Sequence, residues 1–283
     1  VLGGPGSRLV EATGSGNMVM KGRGGVSGTF GVGIAIEPAT VRTNTGNITM
    51  VGTGAQSAAN LGSGIQLGFG TVESTGGGSI DLTGTGADTG LRGKGINFAG
   101  FVRTTGAGAI TLTGTGSSTG SGSENYGVDL HDDTAVTIDG SGLLTVNATG
   151  GANVSPAIHT ATGTNLMGYD GVNPYSGNIV IIADSMSVAN ADIRTLGTAT
   201  LRQKTNGTQI NLGAADTAAV LGLTDAELDL ITAGTLAIGD SNSGAITISG
   251  VISPANYQVL DIQKGVTFSA TGGFTSDVTS ATV

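Results

Sequence analysis

The 283-residue chain contains no cysteine and no tryptophan. Disulfides and thiolate metal sites are therefore excluded. The lack of thiols is compatible with secretion, where an unpaired cysteine is a liability. Charge is also scarce, at 11% of residues, and basic residues are the scarcer kind. Four Lys and seven Arg are scattered without a cluster, against 20 Asp and Glu, for a net charge of −9. That balance argues against nucleic acid and against anionic lipid surfaces as partners. No run of 18 apolar residues occurs, so no membrane-spanning helix is encoded. Aromatic residues amount to 4%, so any core must be assembled from small, aliphatic and β-branched side chains. The chain starts at Val1 with no leader-like stretch, which is expected of a processed product or an internal segment.

Glycine, by contrast, is abundant, at 53 residues. Disorder is not implied, because hydrophobic residues make up 38% and mean hydropathy is positive. The glycines punctuate a repeat. A Gly-x-apolar-x-apolar phrase begins at Gly16, Gly46, Gly78, Gly108 and Gly142, at spacings of 30, 32, 30 and 34 residues. Thr- and Gly-rich tails such as Thr113-Gly114-Thr115-Gly116 follow most copies. A second phrase reads Gly33-Ile34-Ala35-Ile36, Gly64-Ile65-Gln66-Leu67, Gly95-Ile96-Asn97-Phe98 and Gly127-Val128-Asp129-Leu130, and Ile158 keeps its register. A third centres on Val41, Val72, Val102 and Val136.

Period-two alternation marks strands with one buried face. Three short strands in each unit of about 30 residues, repeated in phase, predict an all-β fold: a right-handed parallel β-helix, or β-solenoid. Equivalent strands would stack at about 4.8 Å. Met18, Ile48, Ile80, Ile110 and Leu144 would form one inward column; Ile34, Ile65, Ile96, Val128 and Ile158 would form another. Outward in the third strand, Arg42, Glu73 and Arg103 would be neighbours of alternating sign, a structural charge ladder. Threonine columns are expected at Thr83 and Thr113, and at Thr53, Thr85, Thr115 and Thr149. They suit strands as such, and flat threonine arrays also lie against glycans or ice.

Residues 1–160 thus read as regular repeats. Residues 161–176 read as a longer loop insertion, and 177–283 as a continuing, less regular β-helix. Near residues 224–231 one short external helix is predicted. Thr224 and Glu227 form a capping box, with Leu223 and Leu228 as its hydrophobic staple.

The second half carries Thr200-Leu201-Arg202, Gly207-Thr208-Gln209-Ile210-Asn211-Leu212-Gly213, Leu223-Thr224-Asp225-Ala226-Glu227-Leu228 and Ile231-Thr232-Ala233-Gly234-Thr235-Leu236-Ala237-Ile238-Gly239-Asp240. With these motifs the chain resembles the repeat region of large bacterial exoproteins of the filamentous haemagglutinin type, the two-partner-secretion adhesins. The resemblance implies a right-handed β-helix, secretion or cell-surface display, and a role in adhesion or extracellular fibres. In that family an N-terminal export module carries an Asn-Pro-Asn-type motif. Asn173-Pro174-Tyr175 is not one, so this segment is expected inside or C-terminal to such a module.

The strongest case for catalysis is Asp129 with His131, Asp132 and Asp133, since many β-helix proteins cleave polysaccharides with paired carboxylates. The other outward residues of that column, Ala35, Gln66 and Asn97, supply neither a second carboxylate nor an Arg. No catalytic residue is therefore assigned, and a polar turn is the plainer reading. His159 shares the Asp129 column, so the two would face each other across neighbouring strands. Tyr169, Asn173 and Tyr175 make the 161–176 segment the first choice for recognition, because Tyr offers contact area with a hydroxyl. No cofactor is implied. Calcium remains a weak option at Asp132, Asp133, Asp240 and Asn242, whose spacing matches no calcium motif. Expected partners are further copies joined head-to-tail, adjoining coils of a longer parent, or a host-cell, matrix or glycan surface.

Overall fold

The computed structural model describes residues 8–25, 31–55, 62–87, 92–152, 155–169, 171–173, 175–253, 256–269, 271–274 and 280–282. Strands dominate, and among the described residues the pairings between them are parallel, most joining residues some 20 to 40 apart in sequence. The fold is all-β and parallel. Among the described residues the one α-helix is Asp225–Leu228, capped by Thr224 and Glu227 in the reciprocal manner of a capping box.

The pairings follow the repeat. Met18–Arg23 pairs with Ile48–Thr53, that strand with Ile80–Thr85, then Ile110–Thr115 and Leu144–Thr149. Within this series Met18, Ile48, Ile80, Ile110 and Leu144 are directly opposite one another. The column runs on through Ile179, Ala199, Leu236 and Leu260. Ile34, Ile65, Ile96, Val128 and Ile158 align likewise and end on Met186. Their side chains join one hydrophobic cluster with the valine column at Val41, Val72, Val102 and Val136. Most are wholly removed from water.

Two features depart from three separate short strands per repeat. In Ile65–Ser74 and Ile96–Gly106 the second and third strands run together. Their pairing slips between Gly68 and Thr71, a bulge where Phe69 takes a left-handed φ of 58° and is 71% exposed.

The second departure corrects the expected loop insertion at 161–176. Asn165–Met167 is a strand, paired with Ala135–Gly140 on one side and Ala191–Arg194 on the other. Met167 carries the valine column from Val136 on to Ile193 and Ile231. The repeat therefore passes through this segment. Asn165 hid the strand: it occupies a fully buried position, where its side-chain amide donates to the carbonyls of Ala161 and Asn190. Pro174, in the same segment, lies outside the described residues.

Beyond residue 203 a second parallel sheet forms from Gln209–Leu212, Val220–Leu223, Ile246–Ile248 and Val266–Phe268. No helix among the described residues is long and apolar enough to cross a membrane.

Candidate functional site

The chain's two histidines line one depression beside Asp129. Asp129 sits in the strand Val128–Leu130, whose flanking residues are fully buried in the core, so the period of two turns Asp129 away from it. Its register partners are Asn97 and His159. Although it leaves the core, its side chain is only 3% exposed, because neighbouring groups cover it.

Lys94 Nζ meets Asp129 Oδ2 at 2.5 Å, and His159 Nδ1 meets Oδ1 at 2.7 Å. Burial alone would push the Asp129 carboxyl up. The hydrogen bond from His159 and the charge and hydrogen bond of Lys94 outweigh it and hold the group below the usual carboxylate range. Tyr126 stacks on the His159 ring with centroids 4.1 Å apart, and Lys94 Nζ lies 5.5 Å from the Tyr126 centroid. Burial, then the charges of Asp129 and Glu124, raise the Tyr126 hydroxyl above its ordinary value. His131 directs Nε2 to Asn97 Oδ1 and Nδ1 to Asp132 Oδ2, each at 2.9 Å. The whole surrounds a shallow depression of about 320 Å³.

Glu124 was not anticipated. It lies in the turn before the second strand, outside the repeated phrases, and shares Lys94 with Asp129 at 3.6 Å while meeting Arg92 at 3.1 Å. The second carboxylate and the arginine missing from the outward column thus enter from turns. Only their matching position, three residues before Gly-Val-Asp-Leu and before Gly-Ile-Asn-Phe, hinted at them.

The recognition residues of the 161–176 segment are placed differently from expectation. Tyr169 and Tyr175 are 5% and 4% exposed, so neither presents a surface to a ligand. Tyr169 donates to Asp192 at 2.5 Å and underlies Arg194 at 4.7 Å, and burial followed by Asp192 pushes its hydroxyl up to about 12. Tyr175 donates to the Asn178 carbonyl and bridges to Thr195. Burial raises its hydroxyl as well. Both are packing residues whose hydroxyls find partners, which is the usual state of buried tyrosine. Asn173 is exposed.

Arg42, Glu73 and Arg103 are register neighbours, and Glu73, 1% exposed in its side chain, bonds to both arginines. Burial would raise the Glu73 carboxyl; the two arginine hydrogen bonds reverse this and lower it. Glu11 extends the ladder by one strand, 3.6 Å from Arg42. Asp132 and Asp133 take left-handed φ values of 54° and 62°, a conformation Asp tolerates. Asp132 accepts from Thr162, Asp133 from the Thr164 amide, and Asp240 from Gln203 and the Asn242 amide. Among the described residues no three His, Asp or Glu side chains gather as a metal-holding group.

No family model matches the chain, and neither a curated protein nor a solved structure matches it.

Proposed function

We propose that the chain is a segment of a right-handed parallel β-helix that serves as a rigid, adhesive scaffold in a large secreted or surface-displayed bacterial protein of the filamentous haemagglutinin type. The observation that carries this reading is the unbroken register of inward residues from Met18 to Leu260. A stack of this kind makes length cheaply, because each turn contacts only its neighbours and adds another rung of backbone hydrogen bonds. The outward ion networks fit the same role. Glu73 and Asp129 each tie three successive strands or turns together through ion pairs and hydrogen bonds made to their buried carboxylates. Further coils of a longer parent, or another copy joined head-to-tail, would cover the open strand edges.

Small-angle X-ray scattering tests the shape. At about 4.8 Å per rung the stack should measure roughly 45 Å along its axis, with a constant cross-section. A compact, isotropic particle would rule the helix out.

A second reading, a polysaccharide-degrading enzyme, draws on Glu124 and Asp129 sharing Lys94 beside His131 and His159. Incubation with bacterial, plant and animal polysaccharides separates the two readings. Release of reducing or unsaturated ends, abolished in Asp129→Ala, would replace the scaffold by an enzyme. The scaffold reading expects none.

A further inference from the structure

Beyond the Asp129 cluster, starting at Ser187 beside His159, lies a groove of about 520 Å³ between the end of the Leu144–Thr149 strand, the turn at residues 155–157 and the segments 184–187 and 216–218. Its polar lining consists of hydroxyls and two carboxylates, Asp184 and Asp216, interleaved with small apolar groups such as Ala148, Pro156 and Ala218.

Both carboxylates are held from behind by backbone amides. Asp184 Oδ1 accepts from the amides of Lys204 and Thr205, each at 2.9 Å, and Oδ2 accepts from the Thr205 hydroxyl at 2.6 Å. Asp216 Oδ2 accepts from the Met186 amide at 2.6 Å and Oδ1 from the Gly222 amide at 2.8 Å. An ionised carboxylate has about four acceptor positions. Asp184 therefore keeps one open position and Asp216 two, on oxygens that cannot rotate away. Beside them, the Ser187 and Thr217 hydroxyls make no hydrogen bond with any described residue. The groove thus offers oriented acceptors together with hydroxyls that both donate and accept. Small CH surfaces lie between them.

Those features select a ligand dense in hydroxyl donors. They also select its charge. The charged side chains in the lining are the two carboxylates; one ammonium, Lys204 Nζ, stands at the edge on the lining Thr149 hydroxyl at 2.5 Å, so two negative charges face a single positive one. An acidic sugar would place its carboxylate against Asp184 and Asp216 and pay the cost of like charges at close range.

We propose that this groove binds a glycan chain that is neutral or amine-bearing, with Asp184 and Asp216 accepting sugar hydroxyls or the amine and Ser187 and Thr217 completing the contact. This deepens the adhesive reading above by naming a ligand class, and it rests on that reading only for its biological setting.

Isothermal titration of the full chain with cellohexaose, a chitosan hexamer and an oligogalacturonate hexamer tests it. Saturable binding is expected for cellohexaose or the chitosan hexamer and not for the galacturonate. Asp184→Asn should weaken it at least tenfold. Ser187→Trp, which fills the groove from an outward strand position, should abolish it with an unchanged urea midpoint, which covers the event that Asp184→Asn unfolds the chain. Thr40→Ala, several rungs away in the strand Ala39–Thr43, should leave binding intact. Binding of none of the three, preference for the galacturonate, or binding that survives Ser187→Trp would each overturn the proposal. Scattering on the same sample keeps the helix separate: a rod that binds no glycan refutes the groove alone.

Discussion

At the scale of single residues, two aspartates in the same fold respond to pH in opposite directions. Asp129 is buried against Lys94 and His159, and its carboxyl is lowered from 3.8. Its contribution is therefore present above the unfolded value and is lost as pH falls through the folded one. Asp129→Asn leaves the Lys94 ammonium without its main partner. Removing one member of a buried pair costs about 3 kcal/mol. Urea unfolding should show that deficit at pH 7 and a shrinking gap from wild type below about pH 4. A constant gap down to pH 2 would mean the loss is packing, not charge.

Asp216 has the reverse sign. Burial pushes its carboxyl up to about 6, against the two amide hydrogen bonds that lower it, with Glu227 adding a smaller upward push. Stability from the neutral form is present below 3.8 and is lost as pH rises through about 6. Relative to Asp216→Asn, which never ionises, wild type should lose roughly 1–2 kcal/mol between pH 4 and pH 7, after allowing for solvent screening at this half-buried site. Parallel pH profiles of the two proteins would show that the carboxylate is not strained by its surroundings.

At the scale of strands, some glycines are required by close approach. In the Gly-Thr tails, Gly52, Gly84 and Gly114 stack in one inward column. A Cβ on Gly84 would land on the carbonyl oxygen of Gly95, and one on Gly114 on that of Gly127. Backbone cannot yield as a side chain does, so Gly84→Ala should cost about 3 kcal/mol or more. The adjacent Thr85→Ala, on the exposed face, should cost under 1 kcal/mol. Thermal melts of both variants decide this, and equal losses would contradict the close approach.

This scale also shows what the sequence made readable. Columns such as Ile48, Ile80 and Ile110 were visible because an apolar residue at every second position has one economical explanation. The Asn165–Met167 strand was not, because a buried asparagine satisfied by backbone carbonyls looks polar in a pattern that scores only apolar residues. Tyr169 and Tyr175 misled through their rarity: a scarce residue type drew a functional reading, while burial had claimed both rings. At the candidate site, Asp129 facing His159 was readable from register alone. Lys94, Arg92, Glu124 and Tyr126 were not: Arg92 matches Glu124 and Lys94 matches Tyr126 in position before Gly95 and Gly127, but turn residues that change identity between repeats carry no apolar alternation to mark them.

At the scale of the whole molecule, a stack of rungs has a different kind of cooperativity from a globule. The core is a line of neighbours: Leu82 opposes Leu112, Leu112 opposes Val146, and Val146 opposes Ile181. Damage should therefore spread along the axis only as far as nearest-neighbour coupling carries it. Leu112→Ala removes a fully buried side chain from the middle and should cost about 2–5 kcal/mol. In a globule that loss lowers the protection of every core amide together. In the proposed helix, native-state hydrogen exchange should instead show a graded response. Amides of Ile80–Thr85 and Leu144–Thr149 should lose protection most, and those of Ile231–Ile238, several rungs away, should keep nearly the wild-type rate. A uniform loss across all strands would mean that the chain opens as one body, and the account of its stiffness as a sum of local rungs would fail with it.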